Sequence, residues 1–427
     1  MENKNAKVVR NDKMILKGIA RKKFNILNIG IFLIPFQYLI EDKIFALILI
    51  GISILGLIRL IKYNSKFIKS SGFNTGYTML LLYGLVSTFF SKDISSTYSI
   101  LIMVIPFLFY SYILSWYVME HNDQIFNKVK NAFGTFLVST IIVSFLAVIS
   151  DIQGFNKYTR IGAELFGNQY TMFIYYLMIS LCIAIWLLYQ QKMTTKKQVI
   201  IVIIAFLFFI CVSSGIRKAI LIPIVFGLLY MFFNSQSKKK LLIGLIKILV
   251  ALIMLIIAFR LLMYNEYFSS TAGRRLESFI SGLQGKESDN SFNVRRLLLE
   301  SAIRCFYEYP IFGYGFGAFR DYAERTIGIR LYAHNNYVEL LASTGIIGFG
   351  IYYASIVLML KKCYTRFKLT KNSIHLFAIV FIFSLLINDF GAVTYLSLPY
   401  ICFLSLISCL CNIKVQVEER LSKVSKI

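Results

Sequence analysis

The 427-residue chain is poor in negative charge, histidine, proline and tryptophan. Asp and Glu number 21 against 46 Lys and Arg, a formal net charge of +25. No Asp-x-Asp pair occurs, so the usual carboxylate chelate for a divalent metal is missing. Only three histidines are present, His121, His334 and His375. The seven cysteines are scattered, and only Cys305 falls clearly outside the long apolar runs and basic loops. A disulfide framework therefore lacks partners, and none is expected. Cys409 and Cys411 sit in a hydrophobic run and read as small apolar helix residues. Short alternating strands are also absent, which excludes a membrane β-barrel. No basic stripe interleaved with aromatics lies outside the apolar blocks, so nucleic acid is not an expected partner.

What is there in excess is apolar sequence. Hydrophobic residues make up 57% of the chain, against roughly 45–50% for a soluble domain. They come in blocks of about 17–25 residues, the length of a helix that crosses a bilayer. Spans are expected near 25–40, 44–61, 74–90, 95–118, 131–150, 170–189, 198–212, 217–233, 241–264, 338–360, 374–390 and 395–412. No cleavable leader is evident, because the first apolar run leads into more of the same. With this alternation, 29 Lys and Arg fall on one side and 6 on the short loops of the other. The richer side is cytoplasmic by the positive-inside rule, and both termini lie there. The expected fold class is all-α, a polytopic integral membrane protein of about 12 transmembrane helices. One long extracytoplasmic loop contains an amphipathic helix. Residues 1–264 hold helices 1–9, 265–337 the loop, and 338–427 helices 10–12. No internal repeat is visible, and ionisable residues are nearly absent from the span centres.

The loop 265–337 is too long for a plain connection. Residues 272–290 are polar and glycine-rich. A helix capped by Asn293 then runs to Tyr309 and ends at Pro310 and Gly313. Arg296, Glu300, Arg304 and Glu308 form a charged stripe at spacing four. Arg295 shares another face with Leu299, Ala302 and Phe306. It either meets an anionic partner or snorkels at the interface. Gly313, Gly315 and Gly317 in PIFGYGFGAF make either a flexible turn or a close approach to ligand. His334, in YAHNNY, is the one imidazole on the extracytoplasmic side. It either caps the next helix or serves chemistry there. In CVSSGIRKAILIP, Arg217 and Lys218 open a helix after a small-residue turn. That is a natural phosphate site, or else a snorkelling pair.

Three pieces, SSGIRKA, then Arg295 fifteen residues before the Pro310 hinge, then HNNYVELLASTGIIGFG, together resemble the O-antigen ligase and polymerase family of bacterial membrane glycosyltransferases. The resemblance covers about 210–350. Ser343 stands where many members carry an acidic residue, and Leu299 where a tryptophan is often found. The family implies a glycan donor on a polyprenyl diphosphate, attacked at its anomeric carbon by a sugar hydroxyl. Arg217 and Arg295 are then expected to hold the diphosphate, and His334 to orient or deprotonate the acceptor. Those three are the expected catalytic residues, with Lys218, Tyr314, Arg320, Asn335 and Tyr337 binding substrate. No cofactor and no metal are expected. Besides lipid-linked oligosaccharide and membrane lipid, a flippase and a chain-length regulator are the expected partners.

The leading expectation is a polymerase of repeat units for capsule, exopolysaccharide or O-antigen, working at the outer face of the cytoplasmic membrane. A ligase that moves finished glycan to another acceptor shares the same motifs. A transporter of lipid-linked sugar or polysaccharide would not require the Arg and His set, and a scaffolding protein would tolerate loss of His334.

Overall fold

The computed structural model describes residues 26–62, 71–151, 161–191, 194–214, 216–234 and 290–412, plus the isolated residues 242, 246, 253, 257 and 264. The basic segment 1–24, Lys238 to Lys240, most of the predicted span 241–264, nearly all of the polar stretch 272–290 and the basic tail lie outside the described residues.

Among the described residues the regular structure is helical, without strands. The longer helices are α1 (Ile26–Leu33, continued by a 3-10 turn Ile34–Leu39), α2 (Asp42–Lys62), α3 (Gly72–Ser87), α4 (Ile94–Met119), α5 (Ile125–Ser150), α6 (Tyr170–Gln190), α7 (Thr194–Ser213) and α8 (Arg217–Asn234), with a single turn Ala163–Phe166 before α6. After the undescribed stretch come α9 (Asn290–Glu308), α10 (Phe319–Ile327), α11 (Asn336–Thr370), α12 (Ser373–Asn388) and α13 (Leu398–Leu410). Six of them, α2, α4, α5, α6, α7 and α11, are long and apolar enough to cross a membrane. The remaining predicted segments, 241–264 apart, coincide with shorter helices. Short polar side chains start several of these helices. Ser71 accepts from Asn74 N–H, Asp93 from Ser96 N–H and Asn372 from Ile374 N–H. Each satisfies an N–H that the first helical turn leaves without a partner.

Inside the bundle, α11 packs on α3 and α12, while α4 packs on α2 and α13. Rings of Phe133, Trp186, Phe377 and Phe403 meet where α5, α6, α12 and α13 converge. Lipid tails are as apolar as these side chains, so close packing and interhelical hydrogen bonds carry the association. Asn74 of α3 illustrates the second. Its amide donates to Ser111 O at 3.2 Å and Ser115 Oγ at 3.1 Å, and its oxygen accepts from Ser111 Oγ at 3.0 Å. Large apolar residues such as Leu47, Leu55, Val202 and Leu358 are exposed on the outside of the bundle, as a lipid-facing surface requires.

Three features depart from the sequence reading. First, the predicted single span 338–360 is broken. Gly345, at φ +60° and ψ −168°, separates a short helix 336–344 from the long one that follows. Second, the described part of the loop is not one helix but two, α9 and α10. They share a small core of Leu298, Ala302, Cys305, Phe319 and Tyr322 that extends to Ala342 of α11. α9 also begins upstream of the predicted cap Asn293. Cys305 is fully buried there, with its sulfur 3.7 Å from Ala342 O. Third, Cys363 on α11 and Cys411 after α13 are joined by a disulfide, although none was expected. These helix ends converge, which brings two cysteines 48 residues apart to a Cα separation of 5.3 Å. Apolar periodicity identifies helices but not which helix ends meet.

Candidate active site

The glycine-rich hinge after α9 is stitched to the break in α11. Tyr314 N–H donates to Ala342 O at 2.9 Å, and Gly315 N–H to Ser343 O at 3.1 Å. Ile346 N–H returns to Pro310 O at 2.9 Å. Tyr83 Oη donates to Thr344 O at 2.8 Å and Phe312 O at 3.1 Å. The carbonyls and N–H that a broken helix leaves open are thus taken up by the hinge. At Gly345 a Cβ would strike the Ile311 carbonyl, and at Gly313 it would strike the Ser343 backbone. Both glycines have φ in the left-handed region. They are there for close backbone packing, so the hinge is a rigid seam that fixes where 336–344 starts.

His334 lies just before that short helix, with φ +55°, one of two described non-glycine residues at positive φ. Such a conformation persists only where neighbours enforce it. On one side, Ala333 N–H donates to Glu339 Oε2 at 2.6 Å. On the other, Asn335 caps α11 by accepting from Tyr337 and Val338 N–H. Asn336 N–H then donates to Asp389 O at 2.8 Å. The Asn336 side chain is fully employed. Its oxygen accepts from Thr394 and Tyr395 N–H, and its nitrogen donates to Tyr353 Oη at 2.8 Å and Asp389 Oδ2 at 3.4 Å. Asp389 also accepts from Tyr353 Oη at 3.0 Å and Thr394 Oγ1 at 2.6 Å.

The imidazole is mostly covered but not sealed. It tilts against the Tyr332 ring at 4.3 Å between centroids. Among the described residues neither ring nitrogen has a hydrogen-bond partner. Burial first, then the fields of Arg295 and Lys218, push its pKa down to about 3. The ring is therefore neutral at physiological pH, with one N–H and a lone pair on the other nitrogen available to accept a proton.

The surrounding charge is positive. Arg295 lies within electrostatic reach of His334, Tyr332, Tyr175 and Lys218. Arg320 lies within reach of Tyr332 and Glu339. Lys218 reaches across from α8, donating to Tyr175 Oη at 2.6 Å and to Gly391 O. The loop cations divide sharply. Arg296 pairs with Glu300 at 3.8 Å, Arg325 with Asp93 at 3.1 Å, and Arg330 with Asp321 and Glu324 at 2.9 and 3.2 Å. Arg295, Arg304 and Arg320 form no salt bridge among the described residues, and two of these three are the ones beside Tyr332 and His334. Cations gathered without carboxylate salt bridges among the described residues favour an anionic ligand.

Of the residues singled out from the sequence, Arg295, His334 and Lys218 are brought together, and Arg320 shares Tyr332 with them. Arg217 opens α8 beside Lys218, but its side chain is outside the described residues. Tyr314 is occupied elsewhere, its hydroxyl accepting from Arg325 at 2.9 Å. Asn335 spends its oxygen on the cap, and Tyr337 Oη donates to Leu386 O at 2.8 Å. The packed face of α9 is not the one through Arg295, Leu299, Ala302 and Phe306. The buried stripe of α9 runs through Leu298, Ala302 and Cys305, while Leu299 and Phe306 are only partly buried. Arg295 therefore flanks the packed face and does not point into it. Asp389, Asn336, Glu339, Tyr332 and Tyr175 were not singled out. Buried acids within apolar runs, as at Glu339 and Asp389, were the one available signal.

Residues 202–353 match the profile of the family described as O-antigen ligase. That stretch holds every site residue named from the sequence and leaves out Tyr175 and Asp389. No curated protein matches the chain.

Proposed function

We propose that this chain, whose residues 202–353 belong to the O-antigen ligase family, is a polysaccharide polymerase that joins polyprenyl-diphosphate-linked repeat units at the outer face of the cytoplasmic membrane. The observation that carries the reading is a neutral imidazole in a strained turn beside cations, with neither its nitrogens nor Arg295 and Arg320 paired to a carboxylate or other hydrogen-bond partner among the described residues.

The donor diphosphate sits against Arg295 and Lys218, with Arg217 at the start of α8 as the third cation. The acceptor sugar presents a hydroxyl to His334. Its oxygen attacks the donor's anomeric carbon, forming the new C–O bond. The bond from that carbon to the phosphate oxygen breaks, and the hydroxyl proton passes to His334. The lipid diphosphate leaves as an anion. Fixed cations aimed at that growing charge are typically worth about 10²–10³ in rate each, and a positioned base about 10²–10⁴. Arrival of the diphosphate also offsets the cations that disfavour imidazolium, so the base strengthens when it is needed. Chain cations carry the charge in this scheme, in keeping with the missing Asp-x-Asp pair. Of the expected substrate-binding residues, Arg320, the Asn335 amide and the third N–H of Lys218 have donors to offer, whereas Tyr337 spends its hydroxyl proton on Leu386 O.

The family description itself favours a second reading, a ligase that moves glycan onto a different acceptor with the same residues. Incubating purified protein with lipid-linked repeat units alone separates the two. A ladder of longer lipid-linked products supports the polymerase. Product only when another acceptor is supplied supports the ligase. Sugar flux across a vesicle membrane without new bonds supports a transporter.

A further inference from the structure

We propose that Glu339 is a positioning residue whose carboxylate, by holding the Ala333 N–H, sets the turn that presents His334 to the acceptor; this rests on the reading of His334 as the base. Glu339 is in the first turn of α11 and only 2% exposed. Burying a carboxylate is costly unless it has hydrogen bonds to make. Among the described residues its side chain bonds to Ala333 N–H at 2.6 Å. Arg320 is near enough to be felt, but forms no salt bridge with it among the described residues. The carboxylate is thus engaged with the backbone one residue before the strained His334.

The turn around His334 is anchored on both sides. Downstream, the cap by Asn335 and the Asn336–Asp389 bonds fix the start of α11. Upstream, the Ala333–Glu339 bond is the backbone anchor next to His334, and the Arg330 pairs with Asp321 and Glu324 hold the chain further back. Without it, residue 334 is free to leave φ +55° for the ordinary regions that a non-glycine residue prefers. The ring would then turn away from its place beside Tyr332 and the cations. Reach matters here more than charge, because a backbone N–H needs an acceptor at the right distance.

Two conservative variants separate reach from charge. Glu339→Gln keeps the length and a carbonyl acceptor but loses the charge. Glu339→Asp keeps the charge but is one methylene short. The expected order is Gln above Asp. Gln should lose about threefold in kcat, since a neutral acceptor is somewhat weaker, and Asp more than about tenfold. Affinity for lipid-linked donor should stay unchanged in both, because the cations are intact. On a His334→Ala background, Glu339→Asp should remove nothing further from the residual rate. The reverse order, or equal activity in both, overturns the proposal. So does an additive loss on the His334→Ala background, which would mean that Glu339 acts independently. A fully active His334→Ala protein would instead sink the reading of the base, before either Glu339 variant is considered.

Discussion

Two adjacent arginines on α9 should behave in opposite ways. Arg296 makes an exposed pair with Glu300, at 3.8 Å with side chains 61% and 60% exposed. Such a pair at spacing four is worth about 0.3–0.5 kcal/mol. Arg296→Ala should cost no more than that in stability and leave turnover as it was. Arg295 has no carboxylate partner among the described residues and sits within reach of Lys218 and His334. Arg295→Ala should leave stability unchanged or slightly raised, because a like charge beside Lys218 is removed. Its turnover should fall about 10²–10³-fold, or roughly 2.7–4 kcal/mol of transition-state stabilisation. Arg295→Lys should recover only part of this, since one ammonium lacks the two-pronged grip of a guanidinium on phosphate. The assay is release of lipid diphosphate by purified variants, beside thermal unfolding of each. Equal tolerance at the two positions, or a larger loss at Arg296, would refute the reasoning.

Two further outcomes follow from the geometry. Gly345→Ala puts a Cβ against the Ile311 carbonyl at φ +60° and should cost about 1–3 kcal/mol of stability. Gly350→Ala, with open space around it, should be neutral or slightly stabilising by thermal unfolding. In a variant in which His334 is the sole histidine, carbon NMR should show a neutral ring down to about pH 3. Adding a lipid diphosphate should raise that value, because the anion offsets the cations that disfavour imidazolium. A transition between pH 6 and 7 in the free protein would contradict the buried, cation-flanked placement.

Much of the helical layout was legible because the thickness of the bilayer's hydrocarbon core sets helix length: apolar blocks of the right size announce themselves. The Arg296–Glu300 pair was legible for a similar reason, since four-residue spacing puts both on one face. The exact buried face of α9 was not. Stripes through Leu298 and Leu299 are both apolar, and only the contact with α11 selects the first. α10 went unseen because nine residues with two arginines and two acids carry no apolar block. The Gly345 break follows from a hinge more than thirty residues earlier in the chain, and the Asn336–Asp389 bonds join residues 53 apart. The Cys363–Cys411 bond likewise depends on where two helices end. Such contacts are tertiary, and a single sequence does not encode them in any local pattern. The same holds for the gathering of Lys218, Arg295 and His334, which come from three separate elements.

The most direct test of the account is His334→Ala, purified and given lipid-linked repeat units, with donor binding measured on the same preparation. The account predicts a folded protein that binds donor as tightly as the parent, forms almost no longer product and leaves the repeat units unjoined. A normal product ladder from His334→Ala would contradict it.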